Sequence, residues 1–374
     1  MAKKEKEIKT EETGANPQIQ AMAYLKENKN DHYNFEEDNY YKVPNSSLNL
    51  NLEIGGGLPV GAHRAVGINS GGKTSCTLDF MLNFLRMDKK NKGIYFKCEG
   101  RLSPEIQERS GIQFTSDPEK WDNNCLVFES NVYEAVFGFI RELIVNNPTK
   151  NKYFFIIDSM DNLVKRDDLA KPLEEAGQVA GGALLTSVFL KKTALALSKR
   201  GHILFFISQL RDEIKINAYQ KTNPRQGGAS GGHAVEHGAS LVFEFLPRWQ
   251  DDYIREGPEK TSKIIGHKCK IRLVKTDNEK YQVDVSYPIK YGRTGGTSVW
   301  QEREVYDQLL SWNLLKKGGA WFNFSQEILN ELREIDKDVP EKIQGEQNVC
   351  NFLESNPKIT SYLYDKFRNT LMTG

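Results

Sequence analysis

The stretch Gly67-Ile68-Asn69-Ser70-Gly71-Gly72-Lys73-Thr74 fits the pattern G-x-x-x-x-G-K-[ST] at every fixed position. Residues of these types at this spacing capture a nucleoside triphosphate. Gly67, Gly71 and Gly72 let successive backbone N–H groups curl around phosphates, and Asn69, Ser70 and Ser75 belong to the same cradle. The helix N-terminus that must follow adds its partial positive charge. Lys73 is expected to reach the β- and γ-phosphates, and the Thr74 hydroxyl to ligate magnesium. A second element supports the first. Tyr153 to Asp158 reads YFFIID, an apolar run ending in a carboxylate. Alone it can be a helix cap; beside a phosphate loop it orients magnesium and its waters. The run Gly93 to Lys97 ends in Cys98-Glu99, which makes Glu99 a candidate general base for attack of water on the γ-phosphate.

These groups need a scaffold that brings them together. From about residue 48 the chain alternates β-branched or aromatic runs with helical patterns, which predicts an α/β fold with a parallel sheet covered on both faces. Strands are expected at His63–Gly67, Gly93–Lys97, Leu126–Glu129, Tyr153–Ile157 and Ile203–Ser208. Leu78, Met81, Leu82 and Leu85 recur at i, i+3, i+4 and i+7, a one-sided helix directly after the glycine loop. A second long helix runs from Gly182 to Lys199 and stops at Arg200-Gly201. Residues 221–232, KTNPRQGGASGG, lack apolar periodicity and read as an exposed, mobile loop. Beyond about residue 290 the pattern turns helical and more acidic, a smaller C-terminal domain.

The 374 residues exceed one comfortable domain, and no apolar run approaches the roughly 18 residues that span a bilayer, so no membrane partner is expected. Five scattered cysteines without a C-x-x-C pair, and no secretory signal, point to reduced thiols and a cytoplasmic location. Residues 1–14 read as a solvated mixed-charge tail. With 51 basic against 50 acidic residues, the net charge is +1, so affinity for a polyanion must come from a local patch.

The ordered motifs LNLNLEIGGGLPVGAHRAVGINSGGKTS, FKCEGRLSPEIQERSGI, FFIIDSMDNL, FFISQLRDEI, GGHAVEHGAS, KCKIRLVKT and KKGGAWFNF together resemble those of the bacterial RecA recombinases over about residues 45 to 370. The chain looks like a divergent member, of the kind a bacteriophage carries. The resemblance implies a RecA-like ATPase core with ATP and Mg2+ as cofactors. It also implies polymerisation into a helical filament on single-stranded DNA, and strand exchange with double-stranded DNA. It makes Lys73, Thr74, Asp158 and Ser159 nucleotide and magnesium residues, Glu99 the catalytic carboxylate, and Gln209 the sensor of the γ-phosphate. Lys275 would reach ATP across the subunit interface. The implied organisation is an oligomerisation segment at 15–44, where Ile19, Met22 and Ala23 share a helical face, a core at 45–290 and a C-terminal domain at 291–374.

The basic patch lies beside the sensor. Lys191, Lys192, Lys199, Arg200, Arg211, Lys215, Lys221 and Arg225 face only Asp212 and Glu213 in this stretch, which suits gripping a phosphate backbone. By the resemblance Ser187, Lys191, Arg211, Gly231 and Gly232 contact DNA, with Arg225 in the same loop; the first DNA-binding loop, about Leu173–Ala183, carries no basic residue. The chain also departs from the family. Ile106 stands where a tyrosine stacks on adenine, His237 replaces an interface aromatic, Asp277 replaces a second trans lysine, and the acidic C-terminal tail is missing.

Three readings from other classes compete, one of them a filament-forming accessory protein that binds ATP without strand exchange, since Asp277 and Ile106 can compromise turnover. His233-Ala234-Val235-Glu236-His237 matches the H-x-x-E-H zinc pattern, but it follows a Gly-Gly loop, shows no third ligand and leaves the phosphate loop without a purpose. A hexameric helicase or other ring DNA motor could use the same ATPase core, although the GGAWF-bearing C-terminal segment favours the recombinase.

Overall fold

The computed structural model describes residues 16–100, 102–172, 181–210, 232–257, 259–279 and 282–373. By compactness the chain falls into two units, Met1–Asp38 and Asn39–Gly374. The first carries helix α1, Pro17–Glu27, capped by the Asn16 side chain and with no buried residue; Ile19 and Met22 are exposed.

The second unit is built on a ten-stranded sheet. Its strands are β1 Gly61–Gly67, β2 Lys92–Lys97, β3 Phe114–Thr115, β4 Cys125–Glu129, β5 Tyr153–Asp158, β6 Ile203–Gln209, β7 Leu241–Phe245, β8 Tyr253–Arg255, β9 Ile264–Lys275 and β10 Val283–Lys290. Seven run parallel in the order β7-β1-β6-β5-β2-β4-β3. The long β9 then pairs antiparallel with β7 and β8 along one side and with β10 along the other. All five expected strands form, each one or two residues longer than the patterns indicate. The antiparallel extension was legible only at KCKIRLVKT, because strands that alternate in burial lack a continuous apolar run.

The interior strands are apolar because both faces are covered. Helices α2 Leu48–Glu53 and α3 Lys73–Met87 lie on one face, where Leu78, Met81, Leu82 and Leu85 join Phe154, Phe205 and Phe243 in the main core. Helix α4, Pro104–Ser110, packs beside α3. Phe96 and Phe155, pointing the other way, stack on each other, and Phe96 also meets Phe139 of α5, Tyr133–Val145. On that same helix Phe137 stacks on Phe189 of α6, Gly181–Lys199, with 4.2 Å between ring centroids. The short α7, Gly232–Gly238, leads into β7.

After β10, helix α8 Gln301–Ser311, hairpin strands β11 Leu315–Gly318 and β12 Trp321–Phe324, α9 Gln326–Ile335, β13 Lys342–Gln344, α10 Glu346–Ser355 and α11 Pro357–Thr373 gather a second apolar core. The fully buried Glu304 of α8 joins the two cores. Its carboxylate accepts from Ser47 Oγ at 2.7 Å, Leu48 N at 2.9 Å and Asn49 N at 3.3 Å, which caps the N-terminus of α2.

Candidate nucleotide site

The carboxyl ends of β1, β2, β5 and β6 meet at one edge of the sheet, where ligands of open α/β folds collect. Gly67 ends β1 and pairs with Gln209 at the end of β6, while Lys97 pairs with Asp158. At φ 147° the Gly67 backbone is in a region that favours glycine, and an added Cβ would lie 2.4 Å from the Phe245 carbonyl oxygen. The chain can therefore turn out of the sheet here only with glycine. It enters α3 through Gly72, a left-handed residue that supplies no side-chain cap, so the first N–H groups of the helix are left for a ligand at the cleft.

Lys73 is buried at the start of α3, its ammonium donating to Gly67 O at 2.9 Å and Ile68 O at 2.7 Å. One residue on, Thr74 Oγ1 donates to Asp158 Oδ2 at 2.6 Å, and the Tyr95 hydroxyl donates to the same oxygen at 2.6 Å. Burial raises the Asp158 pKa and the nearby Glu99 adds to this, while the two hydroxyls and the Lys73 charge oppose it. A neighbouring cation would therefore favour the ionised carboxylate. The hydroxyl and carboxylate oxygens are the hard donors that magnesium takes, so the group fits the ion the sequence implies.

A second cluster stands beside the first. Ser159 Oγ donates to Glu99 Oε1, Gln209 Nε2 lies 3.4 Å from the same oxygen, and Gln209 N donates to Asp161 Oδ2 at 2.7 Å. Three strand ends thus converge on one carboxylate. Cys98 is buried next to it, its thiol pushed up to about 12 by burial and by the Asp158 and Glu99 charges.

These residues share a cleft of about 710 Å³ with Ser70, Gly71, Gly72 and Ser75. Its remaining wall carries Arg109, which lies inside the quoted FKCEGRLSPEIQERSGI but was given no role, and Arg248, His267 and Tyr291, which lie in no quoted motif. Arg248 Nη2 lies 2.9 Å from His267 Nε2 and 3.5 Å from Ser70 O. Burial and that guanidinium hold His267 down at about 4, so its ring is neutral near pH 7. Arg109 follows Ile106 by three residues on one helical face, a spacing that could have flagged it. Arg248 and Tyr291 reach the cleft only through the fold.

Asn69 faces a smaller pocket on the far side of the loop, beside Lys268 and Lys270. Lys275 is half-buried at the end of β9, where its ammonium donates to His237 O at 2.9 Å and Glu236 O at 3.3 Å, a cation on the last carbonyls of α7. It does not line its own chain's cleft. Ser187 and the exposed Lys191 sit one turn apart on α6, and Gly232 opens α7. Arg211, Arg225 and Gly231, with most of the first loop and the tail 1–14, lie outside the described residues, as does the side chain of His233. Among the described residues no group of three or more His, Cys, Asp or Glu gathers to hold a metal ion, and no helix is long and apolar enough to cross a membrane.

Residues 34–294 match the family model of the RecA N-terminal domain. The chain is 26% identical over 330 residues to Protein RecA of Acholeplasma laidlawii (strain PG-8A), covering 87% of this chain and 86% of that protein. It is 25% identical over 334 residues to Protein RecA of Acidothermus cellulolyticus, covering 89% and 84%. Protein RecA of Bifidobacterium longum (strain NCC 2705) is 25% identical over 338 residues, covering 89% and 73%.

Proposed function

Because the chain belongs to the RecA family, we propose that it is an ATP-dependent DNA recombinase that polymerises on single-stranded DNA and exchanges strands with a homologous duplex. The observation that carries this reading is the convergence of Lys73, Thr74, Asp158, Glu99 and Gln209 at neighbouring strand ends around one cleft. The loop N–H groups and Lys73 hold the triphosphate; Thr74 and Asp158 would hold magnesium, which would supply charge neutralisation at the phosphates. Glu99 takes the proton of the water that attacks the γ-phosphate. Ser159, donating to Glu99, keeps that carboxylate in place. Gln209 transmits the nucleotide state to the segment that follows β6.

In the same reading residues 15–44 join one subunit to the next, 45–290 form the ATPase core with its DNA-binding loops, and 291–374 form a C-terminal domain. Lys275 completes the neighbour's site. Ser187, Lys191, Gly232, Arg211, Arg225 and Gly231 contact DNA, so binding is sequence-tolerant and salt-sensitive, releasing ~0.7 counterion per neutralised phosphate on a single strand. The test is an assay of strand exchange between circular single-stranded and linear duplex DNA, with electron microscopy of the protein on single strands and a non-hydrolysable ATP analogue. Helical filaments with joint molecules are expected; closed rings without exchange would favour the ring motor.

A further inference from the structure

The segment from Lys290 to Val299 performs three tasks at once. Lys290, Tyr291 and Gly292 line the nucleotide cleft. Gly295 N and Gly296 N donate, both at 2.9 Å, to Glu108 O and Arg109 O, the carbonyls near the end of α4, whose Ile106 and Arg109 line the same cleft. The fit is tight: a Cβ on Gly296 would come within 2.1 Å of Leu82 Cδ2 on α3. The backbone of this wall is thus docked directly on α4.

Backbone bonds tie the ends of the segment to the sheet, Tyr291 N to Ile265 O and Trp300 N to Pro288 O, both at 2.9 Å, and its cations gather on one carboxylate of α10. Glu354 takes Lys290 Nζ at 2.5 Å on Oε1 and 2.7 Å on Oε2, Arg293 Nη2 at 3.0 Å and Trp300 Nε1 at 2.8 Å. Arg293 extends the network through Nη1 to Glu302 Oε2 at 2.9 Å. Lys290 Nζ also sits over the Trp300 ring, 4.8 Å from its centroid. The charged side chains are only 18–22% exposed, so the contacts are partly shielded from water and stronger than surface pairs. With the phosphates assigned to Gly71–Thr74, the rest of a nucleotide must lie against the wall that Glu354 anchors.

We propose that Glu354 is a positioning residue of the cleft: through Lys290 and Arg293 it holds the 290–299 segment, and with it α4, in the placement that receives the nucleoside part of a bound nucleoside triphosphate. The C-terminal segment thereby sets nucleotide affinity without touching the ligand. This rests on the cleft being a nucleotide site, and the test separates the two claims. Full-length protein is titrated calorimetrically with a non-hydrolysable ATP analogue and with inorganic tripolyphosphate, which engages only the phosphate loop. In Glu354→Gln the Kd of the ATP analogue should rise ~10-fold, as loss of charge-assisted hydrogen bonds implies, while that of tripolyphosphate stays within about twofold. Hydrolysis on single-stranded DNA should show a raised KM at nearly unchanged kcat. Arg293→Gln should repeat the pattern and decides the matter if Glu354→Gln does not fold. Unchanged affinity for both ligands, or an equal loss for both, overturns the proposal. Wild-type protein that binds neither ligand, or Lys73→Ala protein that binds both normally, instead overturns the nucleotide reading beneath it.

Discussion

The two ends of the cleft are built in opposite ways. At the proposed phosphate end, the consecutive stretch Gly67–Thr74 supplies a strand end, a glycine turn and a helix N-terminus, while Asp158 ends one strand and Glu99 follows the end of its neighbour. At the nucleoside end nothing is consecutive. A seven-residue helix and a turn nearly two hundred residues later dock by two backbone hydrogen bonds and are anchored by a carboxylate from a third segment. The first end is specified by backbone geometry that few sequences satisfy. The second is specified by tertiary docking that many side chains can maintain, so it is the end free to drift toward a different base or a different affinity. Ile106 lies there.

That contrast predicts where mutations act on chemistry and where they act on fit. The largest effect should come from Glu99→Gln, which keeps the shape that Ser159 and Gln209 contact but removes the proposed proton acceptor. Hydrolysis should slow by ~10²-fold or more with nucleotide-dependent DNA binding retained. A wild-type rate in a DNA-stimulated phosphate-release assay would remove Glu99 from the reaction. Next, Lys73→Ala should weaken the ATP analogue and tripolyphosphate alike, each by about 10²-fold, because a buried cation at the phosphates is lost from both complexes. Loss for the nucleotide alone would mean that Lys73 serves the nucleoside, and the division between the ends would collapse.

The same division explains what could be read in advance. That Lys73, Thr74, Asp158, Glu99 and Gln209 would meet at one cleft was legible because each is tied to a local pattern, a glycine loop or the end of an apolar strand, and the parallel sheet turns such patterns into neighbours. The strands themselves were legible because burial on both faces demands unbroken apolar runs such as YFFIID. Arg248, His267 and Tyr291 were not, since their approach to the cleft depends on strands β9 and β10 adding antiparallel to the sheet, which no short-range signal encodes. The Glu354 anchor was hidden for the same reason. A glutamate on a helix is ordinarily a solvated residue, and only docking of the second core brings Lys290, Arg293 and Trp300 to it.

The joint between the two cores adds a pH test of intermediate size. Burial raises the Glu304 carboxyl from 4.5 to about 7, against the pull of its Ser47, Leu48 and Asn49 donors. Between those values the folded protein keeps a proton that the unfolded chain releases. Its contribution to stability is therefore complete below about pH 4.5 and is lost as pH rises through about 7. Thermal melts of wild type should fall relative to Glu304→Gln across that window, by on the order of 2 kcal/mol. Parallel melting curves for the two proteins from pH 5 to 8 would mean that Glu304 does not titrate there.

The smallest effect belongs to Ile106, and it bears most directly on the contrast between the ends. Ile106 is half-buried, packed against the main core, and lines the cleft from α4. It can offer a nucleoside apolar contact but no stacking face. Truncation to alanine should forfeit about 1 kcal/mol of such contact, a roughly fivefold rise in Kd for the ATP analogue. Ile106→Tyr should act in reverse, since an aromatic face on a base contributes ~1–3 kcal/mol. Neither change should alter affinity for tripolyphosphate, which ends at the phosphate loop. If Ile106→Ala weakened tripolyphosphate as much as the nucleotide, α4 would be supporting the phosphate loop rather than the nucleoside wall. The two ends would then be one cooperative site.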